Sequence, residues 1–432
     1  MPEVQLRTGV WTSEREISLR LPDEWEVDVQ RPRTPAPLTD RQIDEALDHP
    51  VGRPTFTDLC RGKRRPLIIV DDVNRATPVA RVLPSLLVRL HQAGIEPGRV
   101  RILLASGSHG APSPPSVRAK VGPIIAAFYR VLLHDPERNL AKMGRTSRGT
   151  PVFVNREVPA SDVIIGVGGL FPNHMAGLGG GTKLAIGVLG MRSIAGLHFG
   201  HRPVGWGRSP ARNPFREEVD EIARMIGLTT VVTVHCDAAR QPIRIACGDP
   251  RAYYAEEAAF VKRAFGCRGP GDADVVIANT YPADLSLTFA RKKGFHPVRN
   301  CPPSASRIAI GACSEGLGLH RLYPVGDRSI PHRVRTSIWK LASKGPRGAA
   351  RALVSRALSR NSPSPEVEGQ NPLWLYLTAS GPRLPTAATN GARVSTSWPE
   401  IMDSVHKEHD GRKRLKVMIY ACAPMQLVDR NE

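Results

Sequence analysis

Residues 64–72 read RRPLIIVDD, a short wholly apolar run ending in two aspartates, and residues 99–110 read RVRILLASGSHG, the same plan about 35 residues later. Between them VARVLPSLLVRLHQAG (79–94) carries apolar side chains at helical spacing. A buried strand, a helix and a second buried strand of that length make a parallel crossover unit. PVFVN (151–155) and SDVIIGVGG (161–169) are expected as the third and fourth strands, each ending in a polar or glycine-rich loop. In open α/β sheets ligands bind outside the carboxyl ends of the strands, so Asp71, Asp72, Arg75, His109 and the loop after Gly169 are expected to share one crevice.

Working outward, the alternation around Val4, Leu6, Ile17, Leu19 and Leu21 predicts a β-ribbon before the Pro-rich QRPRTPAPLT. Thr39 ahead of DRQIDEAL predicts a capped helix from Asp40 that turns Ile43 and Leu47 inward. NPFREEVDEIARMIG (213–227) reads as a helix entered by Asn213-Pro214, with acidic residues in its first turns as the dipole favours. LTTVVTVHC (228–236) and PIRIACG (242–248) read as strands, and GCRGPGDAD (266–274) as a crossover between domains. DVVIANT, RIAIGAC and LKVMIYA are three further buried strands beyond it. The expectation is a chain of two α/β domains, an N-terminal one over residues 1–268 carrying the chemistry-rich loop and a smaller C-terminal one over 269–432. Residues 359–370 (SRNSPSPEVEGQ) read as an exposed loop.

Composition narrows the function classes. The 432 residues include 7 cysteines, odd in number and nowhere spaced C-x-x-C, so neither a disulfide framework nor a cysteine zinc site is expected. With no apolar run long enough to span a bilayer and no signal-like N-terminus, a cytosolic, unsecreted protein with no membrane partner is expected. Of the net charge of +20, 8 fall in residues 331–360, where Arg333, Arg335, Lys340, Lys344, Arg347, Arg351, Arg356 and Arg360 meet no acidic residue, and the rest is spread thinly. That segment reads first as a solvated basic helix face, with a nucleic-acid partner as the alternative. Aromatics make up only 5% of the chain, which argues against a stacking platform for single strands.

The densest chemistry lies in residues 169–201, GLFPNHMAGLGGGTKLAIGVLGMRSIAGLHFGH. Gly179, Gly180 and Gly181 let backbone N–H groups approach an anion, and Lys183, two residues on, can reach that anion or react as an amine. It is not a Walker A loop, because Leu184 follows the lysine. His109, His174, His198 and His201 all fall at or near strand ends or in this loop, placements that core packing does not explain. No H-E-x-x-H and no G-x-S-x-G occur, which removes the zincin and nucleophile-elbow chemistries.

The order of these pieces resembles the nickel-dependent lactate racemase family. PDEWEVDV, PLTDRQIDEALDHPVGRP, DDVNRATP, the GSH loop, HDPE, TSRGTPVFVNREV, HMAGLGGGTK, NPFREEVDEIARMIG, ADVVIANTYPADLSLTFARKKG and the EGLG turn together cover nearly the whole chain. The resemblance implies a two-domain α/β enzyme with its site in an interdomain cleft. Its activity would be racemisation or epimerisation of a 2-hydroxy acid, by hydride transfer to and from a covalently tethered nickel-pincer nucleotide (pyridinium-3-thioamide-5-thiocarboxylic acid mononucleotide). Cofactor-building enzymes are then implied as partners.

Carried over residue by residue, Lys183 would tether the cofactor, with Asp72 and Gly179 to Gly181 beside it. His198, in preference to His201, would be the protein ligand to nickel, and His109 and His174 the paired acid/base residues. Arg75 and either Lys292 or Lys293 would hold the substrate carboxylate, to which an arginine fork is suited. The chain departs from the family pattern in a loop one residue shorter between His174 and Lys183, which puts Asn173 in the nominal histidine register. Phe289 stands where a polar substrate contact is expected, so a substrate other than lactate is plausible. A diverged homologue that binds a nucleotide or an acidic metabolite without racemising it is the alternative within the same fold.

Overall fold

The computed structural model describes residues 2–210, 212–323, 371–379, 381, 384–385, 389 and 391–428. The basic 331–360 segment and the 359–370 loop lie outside them. The described chain divides into two compact units, residues 34–263 in one, residues up to 33 together with those from 264 onward in the other.

The first unit is built on a six-stranded sheet: β1 (Pro66–Asp71), β2 (Arg101–Ala105), β3 (Arg130–Leu133), β4 (Val163–Gly168), β5 (Thr230–Cys236) and β6 (Pro242–Gly248). The spatial order is β6-β5-β4-β1-β2-β3. Every pair is parallel except β5 with β6. All residues of β1, β2 and β4 are buried, as expected of strands covered on both faces, where continuous apolar runs replace alternation. Helix α1 (Asp40–Asp48) starts in a reciprocal capping box between Thr39 and Gln42 and buries Ile43 and Leu47. Helix α2 (Val79–Gln92) buries Val79, Val82, Leu83, Leu86, Leu87 and Leu90, and α3 (Pro114–Val121) is capped by Ser113. Beyond β4 come α4 (Met191–Gly200), α5 (Pro214–Met225), capped by Asn213, and α6 (Pro250–Phe265).

From β1 the chain runs outward to β2 and β3, then returns to the other side of β1 for β4 and β5. The strand order therefore reverses between β1 and β4, the place where such sheets open a ligand crevice. One expected strand is reassigned. PVFVN pairs antiparallel with Leu140–Arg145 in a separate two-stranded ribbon, and the sheet's outer strand is β3 instead. PVFVN keeps one half-exposed face, which a ribbon tolerates and a central parallel strand does not.

The second unit holds another six-stranded sheet, wholly parallel, in the order Arg393–Ser395, Leu373–Leu377, Ser306–Gly311, Val275–Asn279, Lys416–Tyr420, Glu26–Gln30. Ile277, Ile308, Ile310, Val417, Ile419, Trp374 and Trp398 pack in one of its cores. Here the domain expectation of 1–268 differs from the structure. Residues up to Arg33 belong to this unit, because Glu26–Gln30 pairs with Lys416–Tyr420 at the sheet edge and because the ribbon Glu3–Thr8/Arg15–Arg20 buries Val4, Leu6 and Leu19 in the same core. Among the described residues no helix is long and apolar enough to cross a membrane.

Candidate active site

Asp71 and Asp72 leave the end of β1 in opposite roles. Asp71 is structural: its Oδ2 accepts from Gly169 N at 3.0 Å and from Thr77 Oγ1 at 2.5 Å, and its Oδ1 lies 2.6 Å from Lys120 Nζ. Lys120, on α3, is fully buried and also donates to Arg75 O at 3.1 Å and Thr77 O at 3.0 Å. The ion pair thus fastens the loop after β1 to α3, and the other carboxylate oxygen of Asp71 ties that loop to the start of the glycine-rich loop after β4.

Asp72 meets His109, from the loop after β2, through a short contact between its Oδ2 and the His109 Nδ1. Burial opposes ionisation of Asp72. The His109 charge and hydrogen bond, Arg75 and Asn74 outweigh it and hold the carboxyl well below the usual range. An ionised Asp72 can only accept, so Nδ1 of His109 carries a proton towards it, and Nε2 presents a lone pair whenever the ring is neutral. The crevice expected from topology therefore assembles Asp71, Asp72, Arg75, His109 and Gly169.

The glycine-rich loop forms a tight hairpin, Pro172–Asn173 against Gly177–Leu178. His174 sits exposed at its tip, where its carbonyl accepts from Gly205 N. Gly180 has φ +72°, and a Cβ there would lie 2.8 Å from Gly169 O, so only glycine lets the loop fold back on the end of β4. Gly181 then starts a 3-10 turn, Gly181–Val188, that carries Lys183.

Sequence reasoning missed Arg216, on α5. Its guanidinium donates to the carbonyls of Leu178, Gly179 and Gly180 at 2.7, 3.3 and 3.5 Å, and lies 3.8 Å above the Tyr254 ring. Its Nε is buried with no acceptor among the described residues, a donor left over for an anionic group. In the sequence Arg216 is one basic residue in an acidic helix, and only the packing of α5 on the loop reveals it.

Charge in this region is predominantly positive. Burial, then Arg75 and Arg216, with only Asp72 opposing, pushes the half-buried Lys183 ammonium down to about 7. Burial and then Lys183, aided by His109 and His201, push His198 on α4 down to about 3. Its Nδ1–H donates to Ile194 O at 2.8 Å, which leaves Nε2 as a neutral donor atom of fixed tautomer, the form in which imidazole binds a metal. His201 is engaged elsewhere, its Nε2 against the Glu218 carboxylate. His134, another strand-end histidine, is a buried spacer bonded to Leu189 O at 2.9 Å.

Lys292 and Lys293 lie on Leu287–Gly294 in the second unit, both half-buried. Burial, with Arg299 and Arg291 beside it, pushes Lys292 down to about 8, and its Nζ lies 4.7 Å from the Tyr323 ring centre. Phe289 is buried and stacks on His320 at 6.1 Å.

Among the described residues no group of three or more His, Cys, Asp or Glu is placed to hold a metal ion. A metal at His198 must therefore bring most of its ligands with it. A lysine that is partly neutral near pH 7, a neutral imidazole and a glycine cradle rimmed by arginine fit a metal carried on an anionic, lysine-tethered nucleotide.

The lactate racemase N-terminal domain family matches residues 12–204. The lactate racemase of Thermoanaerobacterium thermosaccharolyticum is 23% identical over 329 residues, 74% of this chain and 74% of that one. That of Lactiplantibacillus plantarum is 26% identical over 297 residues, 66% of this chain and 70% of its own. The solved lactate racemase apoprotein from Thermoanaerobacterium thermosaccharolyticum superposes over 99% of this chain and 100% of that one, with a TM-score of 0.69 at 18% identity. A Thermotoga maritima protein superposes with a TM-score of 0.57 at 15% identity, covering 92% and 99%. These likenesses establish the fold over nearly the full length. The N-terminal part of the chain is thus similar in sequence to the lactate racemase N-terminal domain, and the whole chain shares the fold of the solved lactate racemase apoprotein.

Proposed function

We propose that this chain is a racemase or epimerase of a 2-hydroxy acid, an isomerase that carries a nickel-pincer nucleotide on Lys183 with His198 as the protein ligand to nickel. The likeness to lactate racemases supports the reaction class, and the depressed Lys183 ammonium beside a neutral His198 supports the cofactor site. When bound, the cofactor supplies an electron sink for the carbon that is inverted. The chain's own residues do the rest. His109 Nε2 takes the hydroxyl proton and returns it, while ionised Asp72 holds Nδ1–H and stabilises the imidazolium that forms. Arg75, next to Asp72 in charge terms, offers a fork for the substrate carboxylate. His174 is assigned as the second acid/base residue, and Lys292 or Lys293 as the second cation for the carboxylate.

The observation that carries this reading is the Asp72–His109 pair at the switch point, with Arg75 and Lys183 within electrostatic reach. The test is to load the chain by co-expression with cofactor-building enzymes, supply single enantiomers of a panel of 2-hydroxy acids, and follow the opposite enantiomer by chiral chromatography. Inversion of at least one acid, slowed about 10²–10⁴-fold in His109→Ala, is expected. Nickel-loaded protein that inverts none of them contradicts the proposal.

A further inference from the structure

A second concave site lies in the first unit, between α4 and the ribbon Leu140–Arg145/Pro151–Asn155. It is a cavity of about 350 Å³ whose lining includes Arg145, Arg148, Thr150, Arg192, His201 and Glu218. Its floor is internally compensated. Glu218 is almost fully buried, contacts His201 Nε2 and accepts from Thr146 Oγ1 at 2.6 Å. Burial opposes its ionisation, but those hydrogen bonds hold its carboxyl below the usual range.

The rim is not compensated. Arg145 gives one N–H to Gly149 O at 2.8 Å, and Arg192 lies 5.2 Å from the centre of the Phe153 ring. Neither has a carboxylate partner among the described residues. Among the described residues Arg148 has a single 3.5 Å contact with Glu217. Three guanidinium groups around one concavity repel one another unless an anion lies between them. Space is available, since a Cβ on Gly149 or Gly200, both in the lining, would meet nothing within 4 Å.

We propose that this cavity binds a phosphate group. Three planar forks with donors to spare match the several oxygens and double charge of a phosphate better than a single carboxylate. The site uses a different part of α4 from the one that carries His198. Arg192, Ala195, Gly196 and Gly200 line the cavity, and His198 does not. An occupant bridging Arg192 to Arg145 and Arg148 ties α4 to the ribbon. The phosphate can come from a free small phosphate monoester or from the mononucleotide of the cofactor, and the two sources give different results on loaded protein.

The experiment is isothermal titration of the full chain, made without cofactor, with inorganic phosphate and with a nucleoside monophosphate at constant ionic strength. Saturable one-site binding is expected, weakened about tenfold in Arg192→Gln, as loss of a charge-assisted contact predicts, and more in Arg148→Gln/Arg192→Gln. Arg41→Gln, an exposed arginine outside the cavity, should leave it unchanged. Both cavity arginines are exposed, so folding is not at stake. The same titration on nickel-loaded protein assigns the source: retained phosphate binding identifies a free monoester, and its loss identifies the cofactor's own phosphate. Absence of saturation in the cofactor-free chain, or equal binding by the double variant, overturns the proposal.

Discussion

His109 and Asp72 act as one acid/base unit, because the carboxylate fixes which imidazole nitrogen holds the proton. Asp72→Asn removes the negative charge opposite the developing imidazolium. It is expected to lower the inversion rate about 10²–10⁴-fold with little effect on KM, as measured by chiral assay at saturating substrate. Lys183 gives a second prediction at this scale. Its folded-state value of about 7 lies below the ordinary lysine value of 10.5. The unfolded chain therefore holds more protons between those limits, and this lysine's cost to stability is full below about pH 7 and fades as pH rises towards 10.5. Cofactor-free Lys183→Met should melt higher than the parent chain at pH 6, with the gap closing by pH 10. Residues at the ends of apolar strands, such as Asp72 and His109, were legible in the sequence because a buried strand must surface somewhere. Lys120 was not. In PPSVRAKV it reads as a solvated helix position, and its pairing with Asp71 depends on where α3 packs.

At the scale of elements, the site depends on two loops joined through the Asp71 carboxylate, itself held by Lys120, and on one arginine. Lys120→Met leaves Asp71 buried without its cation, a change of the kind that costs about 3–5 kcal/mol. Denaturant unfolding should show that loss, and Lys120→Met/Asp71→Asn should recover part of it. In the glycine loop, Gly180→Ala places a Cβ against Gly169 O at a positive φ and is expected to destabilise by about 1–3 kcal/mol and to reduce cofactor attachment. PVFVN shows where element-level reading stops. Its composition suits any strand, and whether it joins the sheet or a ribbon is set by its partner Leu140–Arg145, whose mixed sequence LAKMGR gives no strand signal. The His201–Glu218 contact was equally hidden, since it joins the end of α4 to the middle of α5 across 17 residues.

At the scale of the molecule, two parallel-stranded units share one chain that leaves the second unit at residue 33 and returns to it at 264. Their strands were legible as apolar runs. The return of residues up to 33 was not, because Glu26–Gln30 is half-exposed and pairs with a strand nearly 400 residues away. Acid stability is the global prediction. In Asp72, Glu218 and Glu257 burial opposes ionisation, but histidine partners and hydrogen bonds outweigh it and lower all three. Their contribution is complete above the ordinary carboxylate range and is lost as pH falls through it, so Tm should fall steeply below about pH 4.5. Lys183 and His198 are proposed to form one cofactor site. The direct measurement is intact mass together with nickel content of the chain co-expressed with cofactor-building enzymes, beside Lys183→Ala. A nickel-bearing adduct of about one mononucleotide on the parent chain, missing from the variant, is the predicted result. An unmodified chain without nickel, or an adduct that survives in Lys183→Ala, contradicts it.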